Sequence, residues 1–167
     1  MGSITIISDN TLTAFGEVVL ANKYRARRLW VITPWLSGEN GRHDPLALLV
    51  ESLTRCQCVT YLVTRPPEER WHLDAIKVLW STVKPILLYS ARLHAKLYLL
   101  ECDGFRYAMF GSPNLTGRAD RDNKELAVEL RCTTTNPDDQ IAAMIDTLTK
   151  YANSIMAEDD VEIRECP

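Results

Sequence analysis

Two pairs of polar residues lie at the ends of apolar segments in "LHAKLYLLECDGFRYAMFGSPN", residues 93–114. His94 and Lys96 lead into the first apolar run, and Ser112 and Asn114 follow the second. Residues two apart in a strand share a face about 7 Å apart, so each pair should present both side chains at one rim of a sheet. An imidazole, an ammonium, a hydroxyl and an amide can bind the oxygens of a phosphodiester and attack its phosphorus. Taken singly, each residue could equally be an ordinary strand-end polar group.

The segments before this stretch predict alternating helices and strands that could position these side chains. A helix begins near Asp9 and Asn10, which are good N-cap residues. The strands "RLWVITPWL", "CVTYLVTR" and "PILLYS" are separated by a helix from about Pro45 and by the helical pattern "EERWHLDAIKVLW". Strands that alternate with helices favour right-handed crossovers and a parallel sheet.

After Ser90 the pattern changes from crossovers to a hairpin. "LHAKLYLLE" and "FRYAMFGS" are joined at Asp103-Gly104, a strong turn signal. "KELAVEL" predicts one more strand, and an amphipathic helix runs from about Pro137 to Met156. The sequence thus predicts an α/β fold with a mixed, mostly parallel central sheet and helices on both faces. We expect one domain over residues 1–157 and an acidic C-terminal tail over residues 158–167.

Composition limits the classes of partner. The chain has 167 residues, 46% of them hydrophobic and 25% charged, with a formal net charge of -3, so no global attraction to nucleic acid or anionic lipid is expected. It contains no apolar run of the roughly 18 residues that a spanning helix needs, and we expect no membrane partner. Five cysteines without a secretory signal predict reduced thiols and a cytoplasmic location.

The polar residues also match a family pattern. His94-x-Lys96, followed by Gly111-Ser112-x-Asn114, resembles the His-Lys-Asp signature of the phospholipase D superfamily. "WVITPWL" is similar to the first core strand of that family, and "NLTGRADRDNKELAVEL" is similar to the segment after the motif in its nucleases, where Asn-x-Glu leads into a strand. The resemblance is to single-motif bacterial endonucleases, covers most of the chain and implies a phospholipase D-like fold.

One position departs from the family. The signature usually places an aspartate five residues after the lysine, and here that place is Glu101. Asp103, in the hairpin turn, is the other candidate for the acid. In the family this acid supports the hairpin more than the chemistry.

The resemblance implies a site shared by two chains. The family's reaction needs one histidine that becomes a phosphohistidine and a second that protonates the leaving oxygen. Of the three histidines only His94 lies in the motif; His72 fits a structural helix position, and His43 is the better outside candidate because its loop follows the first core strand. Single-motif members supply the second histidine by forming a homodimer, whose two-fold axis brings both motifs together.

The resemblance also assigns roles to the other candidates. Lys96 and Asn114 should hold the non-bridging oxygens of the phosphate, with Ser112 assisting. Glu125, at the family's Asn-x-Glu position, should contact the imidazole and fix its tautomer. Trp35 could stack on a base or belong to the core. We expect no metal and no cofactor, since the lysines supply the cation that magnesium would otherwise provide.

The function expected from these residues is that of a metal-independent phosphodiesterase that cleaves DNA, with RNA as the second candidate. The local charge is modest, with seven lysines and arginines against six acids over residues 92–131, so binding should be weak and salt-sensitive. Two alternatives stay open at this point: a phospholipid phosphodiesterase, and a non-catalytic dimeric subunit of a larger nuclease or defence assembly.

Overall fold

A computed structural model describes residues 2–21, 23–38, 44–116, 124–159 and 161–164. The described elements, in chain order, are β1 (Gly2–Ile7), α1 (Thr11–Ala21), β2 (Ala26–Ile32), α2 (Pro45–Cys56), β3 (Val59–Thr64), α3 (Arg70–Val83), β4 (Ile86–Ser90), β5 (Leu97–Cys102), β6 (Phe105–Gly111), β7 (Ala127–Thr133), α4 (Asp139–Met156) and β8 (Val161–Arg164). All eight strands form one sheet in the order β1-β7-β6-β5-β2-β3-β4-β8.

The sheet is mixed, as predicted, but the expectation that it is mostly parallel is wrong. Only the β2–β3 and β3–β4 pairs, which are joined through α2 and α3, are parallel. The other five neighbouring pairs of the described sheet are antiparallel. The difference arises because β5 returns against β2, β6 and β7 each pair antiparallel with the strand before them, and both edge strands come from the chain ends.

The two edge strands were not predicted as strands. β1 pairs with β7 from Gly2 opposite Cys132 to Ile7 opposite Ala127, and it is largely solvent-exposed. β8 lies within residues 158–167 and pairs antiparallel with β4. Both edge strands are short and exposed, so they lack the buried apolar pattern by which a strand is recognised.

Helices cover both faces of the sheet, as the sequence predicted. β2 shows why: Leu29 and Val31 belong to the core under α1, α2 and α3, while Trp30 and Ile32 belong to the core under α4. All four side chains are buried, which explains the continuous apolar run of this central strand. Among the described helices, none is long and apolar enough to cross a membrane.

Helix ends follow local sequence signals. The Asp44 side chain accepts a hydrogen bond from the backbone N–H of Leu46 at the start of α2, and Asp138 does the same for Ile141 at the start of α4. Such caps satisfy backbone donors that have no partner within the helix. They set where both helices begin.

His72 is a structural residue, buried on α3 with 2% of its surface exposed. Its Nε2 lies 3.0 Å from the hydroxyl of Thr64. That hydroxyl donates to the carbonyl of Pro34, so Nε2 must be the donor toward Thr64 and the ring must be neutral at Nδ1. Burial lowers the pKa of His72 from 6.5 to about 4.

We expect His72 to make the fold sensitive to acid. The folded state binds fewer protons than the unfolded state between pH 6.5 and pH 4, so stability is fully present above pH 6.5 and falls as the pH drops toward 4. The pKa difference corresponds to a loss of about 3 kcal/mol in the free energy of unfolding. Urea unfolding of wild type and His72→Leu across this range measures it; parallel pH profiles of the two proteins would contradict the assignment.

Candidate active site

Three strand ends and two strand starts meet at one end of the sheet. The C-terminal ends of β2 and β3 lie side by side because these strands are parallel. Since β5 runs the other way, its first residue, Leu97, lies opposite Ile32 of β2 and Phe110 of β6. Gly111, the last residue of β6, lies opposite Ala127, the first of β7. This pairing brings the segments with His94, Lys96, Ser112, Asn114 and Glu125 to the same edge.

His94 and Lys96 lie just before β5, and not within a strand as predicted. The His94 side chain is exposed and Lys96 is partly buried. The flanking residues Leu93 and Leu97 are 4% and 2% exposed, so the segment is anchored on both sides of His94. The Lys96 carbonyl accepts a hydrogen bond from the Gly111 N–H at 3.4 Å. These contacts join the two halves of the motif.

Glu125 is in contact with Ser112. The Ser112 hydroxyl donates to the carboxylate of Glu125 and accepts from the N–H of Leu126 at 2.9 Å. The Ser112 hydroxyl therefore orients the carboxylate of Glu125, and the contact between Glu125 and the imidazole of His94 stays a prediction. Asn123, the first residue of the Asn-x-Glu pattern, lies outside the described residues.

Gly111 allows the close approach of β6 to the start of β7. A Cβ added at this position would lie 2.2 Å from the carbonyl oxygen of Leu126 and 2.8 Å from the Cα of Ala127. Only glycine fits there without moving the backbone. The glycine of the Gly-Ser-x-Asn motif therefore sets the distance over which Ser112 and Glu125 meet.

Asn114 sits in a turn that is fastened to the core. The buried Tyr98 hydroxyl donates to the Pro113 carbonyl at 2.9 Å, and the backbone N–H of Leu115 donates to the hydroxyl of Thr33, directly after β2, at 3.3 Å. Asn114 is partly buried, and its Oδ1 is buried without a hydrogen-bond partner in the described part of the chain. A buried polar atom without a partner costs free energy.

Arg65, directly after β3, is the site residue that sequence reasoning missed. Its Nε donates to the Leu93 carbonyl at 2.8 Å, and its Nη2 lies 2.8 Å from Nε2 of His94. Its guanidinium also lies over the ring of Trp35, 4.9 Å from the centroid. A signal existed, because an arginine ending a buried parallel strand faces the same sheet edge as His94.

Trp35 is at this edge too. It follows β2, is partly buried and carries the Arg65 guanidinium on its ring. Together with Arg65 and Trp71 it lines a cavity of about 180 Å³. The indole is therefore near the site and is not part of the closed core.

Neither acid proposed for the motif position reaches this edge. Glu101 is paired with Arg28 at 2.7 Å, and the Asp103 carboxylate receives two hydrogen bonds from Arg27. Both pairs lie at the opposite end of β5, beside the hairpin turn. The hydrogen bond from Arg27 lowers the pKa of Asp103, so both acids tie the hairpin to β2. His43 lies outside the described residues.

The chain resembles proteins of known structure. No protein-family model and no curated protein matches the chain. Nuc from Salmonella typhimurium, a phospholipase D family member, superposes with a TM-score of 0.65 at 14% identity, over 99% of both chains. NucT from Helicobacter pylori gives 0.71 at 9% identity, over 98% of this chain and 100% of that one. Phosphatidylserine synthase from Haemophilus influenzae gives 0.59 at 13% identity, over 98% of this chain and 40% of that one.

Proposed function

We propose that this chain, which has the phospholipase D fold, is a metal-independent phosphodiesterase that cleaves DNA, with RNA as the second candidate. One observation supports the proposal: His94 is exposed and lies at the sheet edge to which strand pairing also brings the segments with Lys96, Ser112 and Asn114. The chain shares its fold with Nuc and NucT over nearly the whole length of each. Each of those two chains is therefore about as long as this one. We place the active protein in the cytoplasm.

The chemistry proposed for the site proceeds in two displacements. Nε2 of one His94 attacks phosphorus and forms an N–P bond, while the bond from phosphorus to the leaving oxygen breaks. A second imidazole, His94 of another copy, gives its proton to that oxygen. It then accepts a proton from water, which attacks the phosphohistidine and releases the phosphate product. One ring must begin neutral and the other protonated, so the rate should be bell-shaped in pH.

The neighbouring groups supply charge and orientation. The ammonium of Lys96 and the amide N–H of Asn114 are donors for the non-bridging oxygens, where negative charge accumulates in the transition state. The Ser112–Glu125 pair places a carboxylate at the same edge, where it can offset the positive charge of the protonated ring. Trp35 offers an aromatic face for a neighbouring base.

The proposed reaction should persist without divalent metal ions. We expect the protein to nick plasmid DNA in excess EDTA, because Lys96 provides the cation at the phosphate. Parallel assays on plasmid, single-stranded DNA, RNA and phosphatidylcholine identify the substrate class, with His94→Ala protein purified in the same way as the control for contaminating nucleases. Strict dependence on an added metal ion would contradict the mechanism, and turnover of phosphatidylcholine alone would move the function to the lipid alternative.

A further inference from the structure

Arg65 is held more firmly than an ordinary surface arginine. Its backbone N–H donates to the Pro34 carbonyl at 3.3 Å, its Nε donates to the Leu93 carbonyl, and its guanidinium lies over Trp35. An arginine that only solubilises the surface would be free to change rotamer. Here the ends of β2 and β3 and the segment before β5 all fix the guanidinium, so its position relative to His94 is set by the fold.

The contact between Arg65 and His94 lies over the face of the imidazole. Nη2 of Arg65 is 2.8 Å from Nε2 and 3.5 Å from Nδ1 of His94. A donor in line with the lone pair of one ring nitrogen would lie much farther from the other nitrogen, so the guanidinium rests against the ring face. It therefore restricts the orientation of the ring and leaves the lone pair, which lies in the ring plane, available for attack.

The guanidinium keeps donors for a second partner. Among the described residues, Nη1 of Arg65 has no hydrogen-bond partner. The cavity of about 180 Å³ that Arg65 lines with Trp35 and Trp71 leaves room beside it. A hydrogen bond from arginine to a phosphate oxygen is charge-assisted and about twice as strong as one to a neutral acceptor, so an arriving phosphodiester should compete successfully for the guanidinium.

From these contacts we propose that Arg65 positions the nucleophile: its guanidinium holds the imidazole of His94 in one orientation through the ring face, and its Nη1 donates to a non-bridging oxygen of the phosphate when substrate binds. The phosphorus is then held beside the oriented ring, in a geometry ready for attack. This inference rests on the proposed function, because it assigns Arg65 to the reaction of His94.

The test compares Arg65→Ala and Arg65→Lys with Arg70→Ala. Arg70 is a matched control, since it is a 92% exposed arginine on α3 with a loose ion pair to Asp74. We expect Arg65→Ala to lower kcat about 100-fold, the typical cost of removing one preorganised donor, with partial rescue by added guanidinium ions. Arg65→Lys should remain impaired, because one ammonium cannot replace the planar fork. Arg70→Ala should leave kcat at the wild-type value, with at most a small change in KM from the lost charge.

A second readout does not need activity. In protein with ¹³C-labelled histidine, the order parameter of the His94 ring C–H bonds should fall in Arg65→Ala and stay at the wild-type value in Arg70→Ala. If Arg65→Ala cleaves as fast as Arg70→Ala, or if the ring is equally ordered in both, the inference is overturned. Should the wild type cleave none of the substrates, the proposed function fails and the ring order alone decides whether Arg65 holds the imidazole. Should Arg65→Ala not fold, Arg65→Lys provides both readouts.

Discussion

Replacing His94 by alanine should abolish phosphodiester cleavage, with a loss on the order of 10⁴-fold or more, as expected for a nucleophile that acts with its partners as a unit. In the proposed reaction this side chain serves as nucleophile in one protomer and as proton donor in the other, so a single substitution removes both groups. Single-turnover cleavage of a labelled duplex measures the loss.

The same substitution should leave the fold intact. The His94 side chain is exposed, and the anchoring of its segment comes from the buried Leu93 and Leu97, which remain. Substitutions at such surface positions usually change stability by less than about 0.5 kcal/mol. A His94→Ala protein that melts like wild type and still cleaves would place the nucleophile elsewhere; His43 would then be the next residue to change.

Replacing Lys96 by alanine should have the second largest effect, a loss of about 10³-fold in kcat. Its ammonium is the cation proposed for the non-bridging oxygens, and donors directed at developing charge typically contribute this much. Lys96→Arg should recover part of the rate, since it keeps the charge but changes the donor geometry.

Lys77→Ala is the matched control for Lys96. It removes the same charge from an exposed position on α3, so it reports the general effect of one lysine on binding a polyanion. If Lys96→Ala and Lys77→Ala show the same kcat and differ from wild type only in KM at low salt, Lys96 is an ordinary solvated lysine and takes no part in stabilising the transition state.

Local signals in the sequence were sufficient to predict the turns and helix starts, because these depend on residues that are neighbours in the chain. Asp103-Gly104 marked the turn between β5 and β6, and the described hairpin pairs Glu101 with Arg106 across it. The helix predicted from about Pro45 is α2, and the structure shows that the Asp44 side chain caps its start. The edge of the sheet that carries the candidate site could be predicted in the same way, because hairpin register fixes which residues lie at which end of a strand.

What could not be predicted depends on partners far away in the chain. The placement of β5 beside β2, and not beside β4, which precedes it in the chain, is set by tertiary packing. Arg65 lies 29 residues from His94; its position directly after β3 indicates the sheet edge that it faces, but not its contact with His94. Glu125 was assigned by family position, which does not reveal that the Ser112 hydroxyl lies against its carboxylate.

The most direct test of the account is the activity of a hybrid dimer. Wild-type and His94→Ala chains with different affinity tags are co-expressed, and the hybrid is isolated by successive purification on both tags. A two-fold symmetric site that takes one imidazole from each protomer predicts an almost inactive hybrid, whereas two complete and independent sites predict about half the wild-type rate. A half-active hybrid, or a fully active wild-type chain that sizes as a monomer and forms no hybrid, would contradict the shared site.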